Sequence, residues 1–443
     1  MLQKLFGFDP SKHNIKTEIL AGVTTFLTMS YILAVNPSIF ADLGTVLGED
    51  KGMPTDAVFT ATALAAIIGT LVMSMYAKKP FGLAPGMGLN TFFVYTVCIG
   101  MGYPWQFALT AILAEGIIFI ILSATNVRDY IVNAFPKGLK TAIGIGIGLY
   151  ITFIGLKNAG IIVSSKATTV ALGKFDNPDV VLAIIGFIIT SALIIRKVKG
   201  GMLLGILITT IIGIPAGVTH ISGIVAAPPS IEPIFCQFNW NEIFSIDMII
   251  VVFTFLFIDI FDTMGTAVGV SVKAGMIDKE GKVDGLSKIF MADAIATAAG
   301  ACCGTNTTTT YLESSAGIAE GGRTGLTSFT IAVCFILSLF LSPIFLVVPN
   351  AATGPVLAIV GVMMCSPIFE IDWQDYSDLS EAIPAFFTMI LMPLTYSISD
   401  GIMIGLIIYV FVNLMSGNYK KLNIALYILA ALFIVHYVSV IFI

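Results

Sequence analysis

The chain has 443 residues, 57% of them hydrophobic and 11% charged, with a net charge of −5 and a mean hydropathy of +0.97. Soluble globular chains carry about 25% charged residues, so a soluble domain with a large core is excluded. The charge balance is too small to name a nucleic-acid or other strongly charged partner.

The first residues, "MLQKLFGFDPSKHNIKTEI", spread their charges and offer no small-residue cleavage site, so they are not expected to be a removable signal. Apolar runs near the ~20-residue spanning length then recur to the end. In the first half they lie near 18–40, 57–77, 84–101, 105–123, 139–157, 179–196 and 201–218. In the second they lie near 246–270, 288–302, 309–319, 324–345, 353–366, 382–397 and 400–416. This predicts a polytopic α-helical membrane protein; a β-barrel would show ~10-residue alternating segments instead. The final "LNIALYILAALFIVHYVSVIFI" is long enough to span or to lie along the interface.

The two halves echo each other. "FPKGLKTAIGIGIGL" from Phe135 resembles "VPNAATGPVLAIVGV" from Val348, and "GGMLLGILIT" from Gly200 resembles "DGIMIGLIIY" from Asp400. A duplicated seven-plus-seven transporter fold explains their shared order and spacing. Lys and Arg gather before segment 1 (Lys4, Lys12, Lys16) and after even-numbered segments (Lys78, Lys79; Arg128, Lys137, Lys140; Arg196, Lys197, Lys199; Lys273, Lys279, Lys282, Lys288; Lys420, Lys421). By the positive-inside rule the N-terminus is cytoplasmic. Seven segments per half is odd, so the second half is inverted. "FEIDWQDYSDLSE" after segment 12 lacks Lys and Arg and reads as an amphipathic interfacial piece.

The six cysteines show no metal spacing and read as small apolar packing residues. No nucleotide or metal motif occurs, so no cofactor or metal is expected. His436, in the last apolar stretch, reads as structural.

Segment 8, "MIIVVFTFLFIDIFDTMGTAVGVSVKAG", carries Asp259, Asp262 and Thr266 at helical spacings that share one face. An acid at the centre of a spanning helix costs about 2.5–3.5 kcal/mol on the insertion scale. A solute or proton pathway explains two of them better than two buried structural acids. Segment 10 opens "GTNTTTTYLESSAG", and threonine favours extended backbone. Extended backbone cannot face lipid, so this run must line a protein interior or a wet cavity. A short helix with Glu313 in its first turn follows. Its counterpart in segment 3, "APGMGLNTFFVYTV", is broken by Pro85, Gly86 and Gly88, with Asn90 expected at the start of a half-helix. Two half-helices would aim positive ends at a midplane site; a polar packing seam is the alternative.

"TTFLTMSYILAVNPSIF", "GLAPGMGLNTFFVYTV", "AEGIIFIILS", "FIDIFDTMGT" and "GTNTTTTYLESSAGIAEGGRTGLTS" together resemble the AzgA-like purine permeases of the nucleobase–cation symporter 2 superfamily, over nearly the whole chain. The resemblance implies a uracil-permease-like fold of fourteen helices in two inverted repeats. Residues 1–125 and 246–345 (helices 1–4 and 8–11) would form a core domain. Residues 126–245 and 346–443 (helices 5–7 and 12–14, plus the C-terminal segment) would form a gate. It also implies proton-coupled uptake of adenine, guanine or hypoxanthine. The family's site residues fall on Asn90, Asp259, Asp262 and Glu313. The family more usually has Ser and Val where this chain has Asn306 and Leu312.

The combined expectation is an inner-membrane purine nucleobase:proton symporter working by elevator-like alternating access. Asp259 and Glu313 suit charge-assisted bonds from purine N–H groups, Asn90 offers a donor and an acceptor, and Thr310 adds a hydroxyl. Phe93, Tyr95 and Phe261 are candidate stacking rings. Asp262 or Glu313 carries the coupled proton; sodium coupling is the alternative, and a homodimer is left open. An anion transporter or channel on the same fold is opposed by three midplane acids without Lys or Arg. An intramembrane enzyme would need a nucleophile–base pair or metal ligands, and no His lies near the acids.

Overall fold

The computed structural model describes residues 2–125, 136–166, 168–219, 223–276, 285–371, 373 and 379–442. A short helix, α1 (Leu2–Phe6), precedes α2 (Ile15–Met29). The Asn14 side chain starts α2 by accepting from the Lys16 N–H at 2.9 Å, which satisfies one of the orphan donors of the first turn. Ser30 and Tyr31 interrupt the first span, and α3 (Ile32–Leu47) completes it. α4 (Thr55–Val72) leads to a span that opens without a helix: β1 (Leu83–Pro85), then α5 (Leu89–Thr91) running into wider π-helical turns over Phe92–Gly100.

α6 (Trp105–Ala124) and α7 (Lys137–Asn158) follow, then a hairpin of β2 (Ile162–Ser165) and β3 (Thr169–Leu172), then α8 (Pro178–Ile195) and α9 (Gly201–Gly213). The second half runs α10 (Ile246–Ala274), α11 (Leu286–Cys303), β4 (Thr308–Thr310), α12 (Ser314–Ala319), α13 (Gly325–Ser338), α14 (Ser342–Leu346), α15 (Asn350–Met364), α16 (Ala382–Thr395), α17 (Ile398–Met415) and α18 (Ile424–Phe442). Among the described residues, nine helical stretches are long and apolar enough to cross a membrane, from Ile15–Leu47 to Ile398–Met415. Others, such as Gly201–Gly213 and Ala382–Thr395, are shorter. The mostly helical membrane fold expected from composition is therefore the one observed.

α11 packs against α4 and α6, α13 against α2 and α4, and α12 against α2. Separately, α7 packs against α15 and α16, α8 against α9 and α15, and α16 against α17. Glycine sets the closest of these crossings. A β-carbon on Gly155 of α7 would lie 2.5 Å from the Gly354 carbonyl of α15, and one on Gly354 would lie 2.6 Å from the Gly155 carbonyl. Small residues let backbones approach this closely where apolar side chains gain nothing from leaving lipid. These two helices carry one of the two sequence echoes between the halves.

Two features were not anticipated. The β2–β3 hairpin occupies residues between two expected spans to which no element was assigned, and Pro229, within the long connection to α10, receives a hydrogen bond from Thr60 at 2.9 Å. The middle of "FEIDWQDYSDLSE", read as interfacial, falls outside the described residues, as do Arg128, Lys279 and Lys282.

Candidate functional site

The site is built on the two interrupted spans. β1 and β4 pair antiparallel, with Leu83 opposite Thr310, Ala84 opposite Thr309 and Pro85 opposite Thr308. The ladder continues through Gly86 N–H to the Thr307 carbonyl at 2.8 Å and Tyr311 N–H to the Gly82 carbonyl at 3.0 Å. Thr70 both donates to the Leu83 carbonyl and accepts from its N–H. Each broken helix thus satisfies the peptide groups of the other, which is what extended backbone at membrane depth requires. Asn306 clamps the same turn by donating to the Gly86 carbonyl at 3.0 Å.

The half-helix after β1 starts two residues earlier than expected. Gly88, at φ +89°, is the capping residue, and Asn90 lies inside α5. A β-carbon on Gly88 would stand 2.6 Å from Ile147 Cγ2, so only glycine combines this left-handed backbone with so close a neighbour. Asn90 is fully buried: it donates to Asn36 Oδ1 at 3.0 Å, and its own Oδ1 accepts from the Thr91 N–H at 2.8 Å. Asn36 in turn donates to Thr62 and Thr305. Asn90 therefore ties the half-helix to α3.

A cleft of about 520 Å³, counted with the space at its mouth, opens beside the strand pair. Asp262, Glu313 and Thr310 line it together with Tyr31, Thr309 and Tyr311. Glu313 is the capping residue of α12, and its Oε1 accepts from the Tyr31 hydroxyl at 2.7 Å. Tyr31 stands at the junction of α2 and α3. Thr309 and Asp262 both face the cleft, and the Tyr311 hydroxyl donates to the Pro85 carbonyl at 2.6 Å. Leu312, one of the two departures from the resembled pattern, also lines the cleft, as do Val360, Met363 and Met364. The result is an apolar slot with two carboxylates, hydroxyls and two phenol rings.

Thr266 also lines the cleft, whereas the remaining sequence-derived candidates lie off it. Phe93 packs on Phe40 at 4.8 Å between ring centroids, and Phe261 on Phe257 at 4.4 Å. Tyr95 donates to Asp42 and receives a bond from Asn158 at 2.8 Å. Asp259 is fully buried among Glu115 of α6, Asp293 of α11, Thr263 and Thr297. Sequence reading missed Tyr31, Glu115 and Asp293. The two acids each stand in a spanning segment, and the insertion cost that flagged Asp259 applies to them equally.

Comparison with known proteins gives this geometry its family. The xanthine/uracil permease model, described as "Permease family", matches residues 16–404. The chain belongs to this permease family. The guanine/hypoxanthine permease PbuG of Bacillus subtilis is 42% identical over 445 residues, covering 99% of both chains. The adenine permease AdeP of Escherichia coli is 39% identical over 440 residues, covering 99% of this chain and 96% of the relative. Among solved structures, the transmembrane domain of a cyanobacterial bicarbonate transporter, BicA, superimposes with a TM-score of 0.63 at 15% identity, covering 89% of this chain and 97% of that one. That likeness concerns the fold alone. The chain is thus a multi-pass membrane permease of a nucleobase-transporting family.

Proposed function

We propose that this permease imports guanine, hypoxanthine or adenine together with protons across the cell membrane, its N-terminus on the cytoplasmic side. The observation that carries the reading is the lining of the cleft: Asp262 and Glu313 face a slot with no Lys or Arg among its described lining residues. A purine is flat and neutral, with N–H donors along its edge. Carboxylates accept such donors in charge-assisted bonds, whereas they repel an anion. This opposes a bicarbonate-like cargo even though the fold is shared. The similarity to a guanine/hypoxanthine permease, PbuG, and an adenine permease, AdeP, supports the same class.

Within this reading Asp262 and Glu313 accept purine N–H bonds, Thr310 adds a hydroxyl, and Tyr31 orients Glu313. Asn90 holds the half-helix, and Asp259 acts from behind the strand pair. Tyr31 and Tyr311 are better situated to contact the ring than Phe93 or Phe261. Residues 1–125 and 246–345 move as one body against 126–245 and 346–443. Proton coupling is favoured over sodium because the ionisable side chains at the cleft are carboxyls and tyrosines, not a preformed cation cage. Uptake of radiolabelled bases by a transport-deficient host tests the proposal. Uptake that is saturable by purines and collapses with a protonophore supports it; uptake of bicarbonate but no purine refutes it.

A further inference from the structure

Five acids stand at membrane depth on the elements around the strand pair, and the cleft uses only two. The other three, Glu115, Asp259 and Asp293, come from α6, α10 and α11 and are 0% exposed. Hydroxyls tie this group to β4 and α10: Thr307 donates to Glu115 Oε2 at 2.8 Å, Thr310 to Asp293 Oδ1 at 3.1 Å and Thr263 to Asp293 Oδ2 at 2.7 Å. The bonds reaching Asp259, from Thr263 and Thr297, are long at 3.4 and 3.5 Å.

One atom is left over. Glu115 Oε1 is buried and receives no donor among the described residues. What Glu115 faces is the Asp259 carboxyl, within hydrogen-bonding reach, and Asp259 is within the same reach of Asp293. Ionised carboxylates only accept, so acceptor opposes acceptor at both contacts. A buried acceptor without a donor is costly, and two carboxylates this close do not both stay ionised. A proton supplies the missing donor. Among the described residues no Lys or Arg bonds these carboxyls: α6 carries no other charge, and Lys288 is exposed at the start of α11. Asp262 and Glu313, on the other side of β4, are also acidic. No trio of His, Cys, Asp or Glu among the described residues has the geometry to hold a metal ion.

We propose that Glu115, Asp259 and Asp293 form the proton site of the transport cycle, sharing one proton, one layer behind the acids that meet the purine. This rests on the proton-symport reading above and moves the coupling step away from Asp262 and Glu313. The proton adds to a carboxylate oxygen in the outward-facing state and leaves the same oxygen in the inward-facing state. The β4 run transmits the change, because Thr307 and Thr310 bond the rear acids while Thr309 lines the cleft with Asp262 in front. Loss of the proton alters what the rear hydroxyls can bond and so shifts the strand that precedes Glu313.

The test uses purified full-length protein in proteoliposomes. Wild type should accumulate hypoxanthine under an inward proton gradient. Glu115→Gln should keep purine binding and purine-for-purine exchange but lose gradient-driven accumulation and the pH dependence of uptake. If wild type is proton-driven and Glu115→Gln accumulates with the wild-type pH profile, the cluster is not the proton site and symport still stands. If wild type ignores the proton gradient, the symport reading fails first. Should Glu115→Gln not fold, infrared difference spectra of wild type and Thr307→Val decide. A protonated-carboxyl band at neutral pH that shifts in Thr307→Val supports the site, and no such band in wild type overturns it.

Discussion

The two interrupted spans solve the same backbone problem with opposite chemistry. β1 brings Leu83, Ala84 and Pro85, and its polar support comes from outside, from Thr70 and Asn306. β4 brings three threonines, and the run around it reaches acids on both sides of the strand. The pairing is symmetric, whereas the carboxyls of the cleft lie on α10 and beside β4. Inverted repeats supply a pair of broken helices, and here one half serves mainly as scaffold while the other carries chemistry.

The largest effect should follow from touching that chemistry. Glu313→Gln and Asp262→Asn each remove a charge-assisted acceptor, a loss of about 1.5–3 kcal/mol or roughly 10–150-fold in purine affinity. Competition uptake with unlabelled guanine, at matched membrane expression, measures it. A change at Ala84, on the other strand, that lowers affinity as much would erase the asymmetry.

Scaffold residues should instead move stability. Gly88→Ala forces a side chain into φ +89° against Ile147, at about 1–3 kcal/mol. Thermal unfolding in detergent should shift down, with purine affinity of the surviving protein little changed. Unaltered unfolding would mean that Gly88 is not strained as described.

Tyr31→Phe deletes the hydroxyl that donates to Glu313 Oε1 while keeping the ring. Affinity should fall by about 2- to 10-fold, the size of one modest hydrogen bond. The smallest effect belongs to Phe93→Leu: a ring packed on Phe40 rather than lining the cleft should change affinity less than about twofold while lowering stability by about 1 kcal/mol. A large affinity loss there would restore Phe93 as a stacking residue.

What was legible in the sequence follows a pattern. The strand run was readable because threonine favours extended backbone and lipid forbids unpaired peptides; both rules are local. Asp262 and Glu313 were readable because an acid in an apolar span demands a reason. Glu115 and Asp293 obey that rule as well, but each stands alone on its helix, and their meeting with Asp259 depends on how α6, α10 and α11 cross. The same dependence explains the rings: Phe93 and Phe261 sit beside site residues in the chain, yet their helices turn them toward Phe40 and Phe257. Tyr31 carries no charge to flag it, and its place in the cleft depends on how the first span meets α12. Asn90 looked like a cap by residue type, and Gly88 took that position because only glycine fits beside Ile147.

The measurement that tests the account most directly is transport by the purified chain in proteoliposomes under imposed ion gradients. An inward proton gradient should drive accumulation of guanine, hypoxanthine or adenine. Uptake should rise as external pH falls, collapse with a protonophore and ignore replacement of sodium by choline. Accumulation driven by sodium alone, or transport of bicarbonate without any purine, would contradict it.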